Sequence, residues 1–307
     1  MISIITPNKN DFSGLEGILE SLHNQTVSTW EWIIIDDYSN HLERTKLQDF
    51  KTLNSHLPIK ILFNETCFGP SYSRNKGVMH SSNPTFVFLD SDDTIGEKFI
   101  ENRLVNVSEF MVYSNMNMVN QKGALLGRFS DIKADFLENL LKAKFPWQTT
   151  AILWNKAFFN KIGGFNNEMF LLEDIQLSIK ALISGEGYTI HIDNEVDFWY
   201  LTKPINSSYR TFMLTSNSVE LLIKSIIDSV DIKSRMFLKN YYFLSLRYFL
   251  RDTTAKKRKL AKHLIFFKKQ KVINSFELII GLLLVVFSVV LSKNTFLKLN
   301  RKIFKIV

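Results

Sequence analysis

The run Thr85-Phe-Val-Phe-Leu-Asp90-Ser-Asp92-Asp93 sets three carboxylates within four residues, directly behind an apolar stretch. Acids held that close oppose one another's ionisation and call for a compensating positive charge. A hard divalent cation with oxygen ligands, itself holding a phosphate, is the simplest partner. A short apolar run closed by a polar turn reads as a buried strand of an open α/β sheet. Sheets of that kind bind ligands beyond the carboxyl ends of their strands. An isolated Asp-x-Asp is often only a solvated turn, but a second acidic strand end lies upstream, in Trp30-Glu-Trp-Ile-Ile-Ile-Asp36-Asp37. A basic side chain at Arg74 and a further acid pair, Glu173-Asp174, complete the residues able to do charge chemistry.

The elements that must position these groups follow from periodicity. Ile2 to Asn8 opens the chain as a strand, and Leu15, Ile18, Leu19 and Leu22 stand at helical spacing after it, with Ser13 and Glu16 fit for a capping box. The first ninety residues thus read strand, helix, strand, helix, strand, helix, strand, the order of a parallel sheet with crossover helices. Beyond them, Phe110 to Val119 reads as one strand, Ala134 to Lys142 as a short helix, a helix begins near Glu173, and Tyr188 to Ile192 reads as a strand. From about residue 206 the pattern is helical to the end. The expected division is residues 1–205, with a nucleotide half at 1–93 and an acceptor half at 94–205, followed by a helical region at 206–307.

Several segments occur in an order that resembles the family 2 glycosyltransferases: Ile4-Ile-Thr-Pro-Asn8, Ser21-Leu-His-Asn-Gln25-Thr26, Ile34-Ile-Asp-Asp-Tyr-Ser39, Gly69-Pro-Ser-Tyr-Ser-Arg-Asn-Lys-Gly77, Phe88-Leu-Asp-Ser-Asp-Asp93, Lys161-Ile-Gly-Gly-Phe165 and Leu172-Glu-Asp174. The resemblance covers roughly residues 1–205. It implies an α/β fold of the GT-A type, Rossmann-like and mostly parallel, flanked by helices, here with a C-terminal helical, membrane-associated extension. It implies a nucleotide-sugar donor held by Thr6, Pro7, Asn8, Asp36, Asp37, Arg74, Asp90 and Ser91. Thr6 and Pro7 would face the nucleobase. Asp37 would accept from uracil N3–H, which favours a UDP-sugar, while Asp36 is either a donor contact or an acid capping a neighbouring loop. Asp90 would reach the ribose and Asp92 a Mn²⁺ or Mg²⁺ ion. Asp93 either supports that metal site or faces water. Asp174 would be the base of an inverting displacement, with Glu173 beside it, and Trp147 and Gln148 would line the acceptor pocket.

The chain also departs from the family pattern. Gln176 stands where many relatives carry a second Asp, and Trp199 to Arg210 lacks the family's His, leaving Lys203 or Arg210 to supply positive charge. The Gln-x-x-Arg-Trp motif of processive synthases is absent, which favours single addition. A nucleotidyltransferase on a similar sheet would need a glycine-rich loop after the first strand, and Thr6 to Asp11 has no glycine. A binding module without turnover is the remaining alternative.

Charge is distributed unevenly. Residues 230–307 hold 18 Lys and Arg against 3 Asp and Glu, a balance of +15, while residues 1–229 hold 20 against 27, a balance of −7. The basic region surrounds the uncharged run Leu278 to Leu291. That run is shorter than the roughly 20 residues a spanning helix needs, and basic flanks on both sides suit a segment dipping into an anionic inner leaflet. Interleaved apolar residues argue against a nucleic-acid tail. One cysteine, Cys67, fits a reducing compartment, and the first residues show no signal peptide. The expected place is the cytoplasmic side of the cell membrane, next to a lipid-linked or glycan acceptor.

Overall fold

The computed structural model describes residues 1–306 apart from 114–115, 121, 130–134, 186, 192–195, 203–207, 247–253 and 289. The chain forms two compact units that interleave along the sequence. One comprises Met1–Lys133, Trp147–Glu168 and Ser184–Lys203; the other comprises Ala134–Pro146, Met169–Ile183 and Pro204–Val307. The division is therefore not linear: two short internal segments belong with the C-terminal helices.

The first unit begins as the periodicity indicates, with β1 (Ile2–Asn8), α1 (Phe12–His23), β2 (Trp30–Asp36), α2 (His41–Leu53), β3 (Ile59–Phe63), α3 (Pro70–His80) and β4 (Thr85–Phe88). It continues with β5 (Thr94–Ile95), β6 (Phe110–Tyr113), β7 (Met116–Val119) and β8 (Leu125–Phe129), then, after α4 (Phe136–Leu141) of the second unit, with β9 (Ile152–Asn155) and α5 (Lys156–Lys161). After α6 (Glu173–Ser184), the strands β10 (Thr189–His191) and β11 (Phe198–Leu201) complete it. Seven strands form the main sheet in the order β10-β6-β9-β4-β1-β2-β3, and four form a second sheet, β5-β11-β7-β8. In the main sheet only β9 runs antiparallel to its neighbours. β2 is buried along its whole length and β1 nearly so, as strands covered on both faces must be. α3 lies on the face that presents Ile5 and Ile35, and Phe50 of α2 meets Trp32 on the other. Chain order reverses between β1 and β4, so the switch point, where open α/β sheets take their ligands, lies at the carboxyl ends of those two strands.

Two local expectations are corrected. Phe110 to Val119 is two strands, not one: β6 pairs with β9 in the main sheet, whereas β7 pairs with β11 and β8 in the smaller one. The predicted Ser13–Glu16 capping box does not form. α1 starts one residue after Asp11, whose carboxylate is engaged by Ser91, and the amide of Phe12 donates instead to Glu43 of α2 at 2.9 Å.

The second unit is helical: α4 and α6 with α7 (Tyr209–Ile226), α8 (Lys239–Leu246), α9 (Thr254–Lys269), α10 (Ser275–Phe287) and α11 (Lys293–Ile303). The hydroxyl of Tyr241 donates to the Leu140 carbonyl at 2.6 Å and ties α8 to α4. His263 lies between Glu220 (2.9 Å at Nδ1) and Ser245 (3.3 Å at Nε2). The trio has the layout of a hydrolase triad, but Ser245 and His263 are wholly buried, so no substrate reaches it and its role is to join α7, α8 and α9.

α3 approaches the sheet closely enough to require glycine. A Cβ on Gly77 would sit 2.3 Å from Ile5 Cγ2 and 2.7 Å from Ile35 Cδ1. Gly77→Ala is expected to cost about 1–3 kcal/mol by overpacking, read as a lower denaturation midpoint with an unchanged slope.

Candidate active site at the carboxyl edge of the sheet

The acid loop follows β4 at the switch point. Leu89 keeps the register, its amide donating to the Ile5 carbonyl at 3.0 Å, and the Asp93 amide closes the turn onto the Asp90 carbonyl at 3.1 Å. Each acid then meets a different environment. Asp90 accepts a 2.7 Å hydrogen bond from Arg74 Nη2. That guanidinium is buried on α3 and packs over the Phe165 ring at 5.4 Å. α3 itself starts at Gly69, whose φ of 91° needs glycine, followed by Pro70 in the first turn. Ser91 Oγ donates to Asp11 Oδ2 at 2.7 Å, bracing the loop against the start of α1. The brace leaves no room: a Cβ on Gly14 would lie 2.2 Å from the Ser91 carbonyl oxygen.

Asp93 is buried and accepts from Thr150 Oγ1 at 3.0 Å and from the Leu201 amide at 3.3 Å. Burial, and then the charges of Asp90 and Asp92, push its carboxyl well above the usual range, partly offset by those two donors. Asp93 therefore does not face water; it fastens β11 and the Thr149–Ala151 turn behind the loop. Asp92 is partly exposed and borders a cleft of about 1020 Å³ shared with Lys9, Asp11, Glu20 and Trp199.

The charge at this loop suits a cation. Among the described residues no three His, Cys, Asp or Glu side chains are grouped to hold a metal ion, so a cation here would take few protein ligands, with Asp92 the best placed and Asp90 engaged by Arg74. Hard carboxylate oxygens, with phosphate and water completing the shell, fit Mg²⁺ or Mn²⁺.

Strand alternation sorts the residues at the ends of β1 and β2. Pro7 is partly exposed and Asp37 directs its carboxylate toward the loop leading into α3. Asp37 accepts from Asn64 Nδ2 (3.0 Å), the Phe68 amide (2.9 Å), the Gly69 amide (2.9 Å) and the Cys67 thiol (3.3 Å). Burial alone would raise its pKa, but these donors prevail and hold it below the ordinary value. Thr6, Asn8 and Asp36 lie on the opposite face and are buried. Thr6 Oγ1 accepts from Trp32 Nε1 at 2.9 Å. Asp36 takes the Ser39 amide at 3.2 Å and lies 3.6 Å from Arg44 Nε, which makes it the acid that caps its loop. Asn8 pairs in register with Asp36, and both side-chain atoms of its amide, with Asp36 Oδ1, are buried without a hydrogen-bond partner among the described residues.

Trp147 is buried in the core instead of lining a pocket, and Gln148 precedes the short turn that supplies Thr150 to Asp93. Glu173 and Asp174 belong to the helical unit, in the first turn of α6. Glu173 is buried, Asp174 partly exposed with Oδ1 accepting from the Ile175 amide at 2.8 Å. Leu172, just before them, adopts φ 62°, a strained value for a branched side chain. Arg210 is exposed at the start of α7, and Lys203 lies outside the described residues. Three contributors lacked a sequence signal: Asp11, Asn64 and Thr150 act through contacts distant in the chain.

Because the Asp37 carboxylate is held below its ordinary pKa, its contribution is complete above about pH 4 and is lost as pH falls through the folded-state value. Asp37→Asn is expected to destabilise the protein by about 1–3 kcal/mol at neutral pH and to lose less stability than the parent on acidification below about pH 4. Denaturation midpoints measured across that range check both.

Residues 3–147 match the sequence model of Glycosyl transferase family 2. A glycosyltransferase of Haemophilus influenzae is 27% identical over 292 residues, covering 92% of this chain and 96% of its own. The UDP-Glc:α-D-GlcNAc-diphosphoundecaprenol β-1,3-glucosyltransferase WfgD of Escherichia coli is 33% identical over 133 residues, 42% of this chain and 50% of that one; the chain thus matches about half that relative's length. Residues 1–349 of Staphylococcus aureus TarS, solved in complex with UDP-GlcNAc, share the fold with a TM-score of 0.65 at 17% identity, covering 99% of this chain and 90% of theirs. With a mixed α/β sheet of that fold and an acid loop at its switch point, residues 3–147 match glycosyltransferase family 2, and the chain is similar to glycosyltransferases over most of its length.

Proposed function

We propose that this protein is an inverting, metal-dependent enzyme. It moves one sugar from a UDP-linked donor to a hydroxyl of a lipid-linked or other glycan acceptor in cell-surface polysaccharide synthesis. The observation that carries the reading is the acid loop itself, with Asp90 neutralised by Arg74, Asp93 withdrawn into the core, and Asp92 at the border of a cleft. The UDP-GlcNAc in the TarS complex and the diphosphoundecaprenol acceptor named for the E. coli relative support the donor and acceptor classes.

In this reading Pro7 offers its ring to the uracil, and Asp37, while shaping the loop at 64–69, accepts from N3–H. Asp90, steadied by Arg74, accepts from the ribose hydroxyls. Asp92 would hold Mn²⁺ or Mg²⁺, which when bound offsets the charge growing on the departing diphosphate. Asp174 takes the proton of the acceptor hydroxyl as its oxygen bonds to the anomeric carbon and the bond from that carbon to the diphosphate oxygen breaks. One displacement on one face inverts the anomeric configuration. A helix start favours the ionised Asp174 that this requires.

A panel of nucleotide-sugars incubated with purified full-length protein and Mn²⁺ or Mg²⁺ tests the donor. One UDP-sugar is expected to bind and hydrolyse slowly, and Asp92→Ala to abolish both. Binding that is equal with and without divalent metal would remove the metal from the reading. With donor and acceptor in hand, Asp174→Asn is expected to leave the donor dissociation constant unchanged and to lower transfer about 10²–10⁴-fold; transfer at the parent rate would assign the base elsewhere.

A further inference from the structure

The helical unit carries a surface that glycosyl transfer does not account for. α10 is built with its polarity reversed. The side turned into the unit is Glu277, Gly281, Leu284, Val285 and Ser288, all buried. Gly281 lies so close to α9 and α11 that a Cβ there would meet Phe304 at 3.0 Å and Leu264 at 3.1 Å. The side turned outward is Phe276, Ile279, Leu283, Val286 and Phe287, continued by Val290 just beyond the helix. These are exposed by between 50% at Leu283 and 79% at Val290. Spacings of three and four residues put them on one stripe. Water is a poor partner for so many large apolar side chains on one stripe, and contiguous patches of this kind mark interaction surfaces.

The charges around the stripe choose the occupant. Exposed Lys269 and Lys271 precede α10, and exposed Lys293 and Lys298 follow it. From Lys268 to the end of the chain Glu277 is the only acid, and it is buried against Lys239. A second copy of this chain would bring lysines to lysines with no carboxylate between them. An anionic lipid surface satisfies both parts, taking the apolar stripe below its headgroups and the ammonium groups among its phosphates. Length excludes a span: 13 residues of helix rise about 20 Å against a hydrocarbon core of about 30 Å. Among the described residues no helix is long and apolar enough to cross a membrane. We propose that α10 lies in the plane of an anionic bilayer surface, inserting Phe276, Ile279, Leu283, Val286, Phe287 and Val290, with the lysines at its two ends bound to lipid headgroups.

The test uses the full-length protein floated with vesicles of phosphatidylcholine, alone or with about one-third phosphatidylglycerol, an anionic fraction that binds surface lysines. Binding is expected with the anionic vesicles, at least about tenfold weaker with neutral ones, and reversed by alkaline carbonate. The triple variant I279Q/L283Q/V286Q is expected to lower binding at least tenfold, and K271Q/K293Q/K298Q to erase the preference for anionic lipid. Both variants change exposed side chains outside the donor site, so nucleotide-sugar hydrolysis and circular dichroism should match the parent. In Phe276→Trp, the emission added to that of the parent's five tryptophans should shift to the blue on vesicle addition and be quenched by lipids brominated high on the acyl chain. Unchanged binding by the triple variant, resistance to carbonate, or a vesicle-free dimer that the triple variant dissociates would overturn the proposal.

Discussion

Three carboxylates within four residues cannot share one loop unless each is handled differently, and the first unit is arranged around that need. Asp90 is matched by a guanidinium brought from α3. Asp93 is taken out of water, where the charges of its neighbours favour its protonated form and two donors from later in the chain hold its oxygens. Asp92, partly exposed, borders the cleft. Removing Arg74, or the two donors to Asp93, would leave like charges close along the chain without that compensation.

The same logic reaches outward. Arg74 is useful only if α3 lies close to the sheet, which Gly77 permits, and only if α3 starts where it does, which Gly69 and the amides gathered by Asp37 arrange. On the other flank, α1 comes near enough for Asp11 to hold Ser91 because Gly14 has no side chain. The three glycines and two aspartates form a frame in which each close approach depends on the next.

Much of this was legible in the residues. The alternation of strands and helices through β4 follows from local periodicity, and the acid-ended strands lie where topology requires. Features set by distant contacts were not legible. Residues 110–119 read as one strand because nothing local marks a change of sheet. Trp147 suggested a pocket wall because burial is not written in a single aromatic residue. Asp36 and Asp37 look alike in sequence, yet consecutive strand residues point to opposite faces, and that one step separates a loop cap from an acid facing α3. Thr150 and Asp11 gave no signal, since each acts on an element some 60 to 80 residues away.

The interleaving of the two units has a consequence for synthesis. β11 pairs with β7 and β5, but arrives about eighty residues after β7. Until then the small sheet has an open edge and Asp93 lacks the Leu201 amide. On a ribosome adding roughly 5–20 residues per second, the nascent acid loop spends several seconds without its rear support, as the first segments of the helical unit emerge. Fragments ending before β11 would carry the whole family motif and still lack a finished site, so a message truncated there yields a chain recognisable by sequence and prone to pair its bare strand with another.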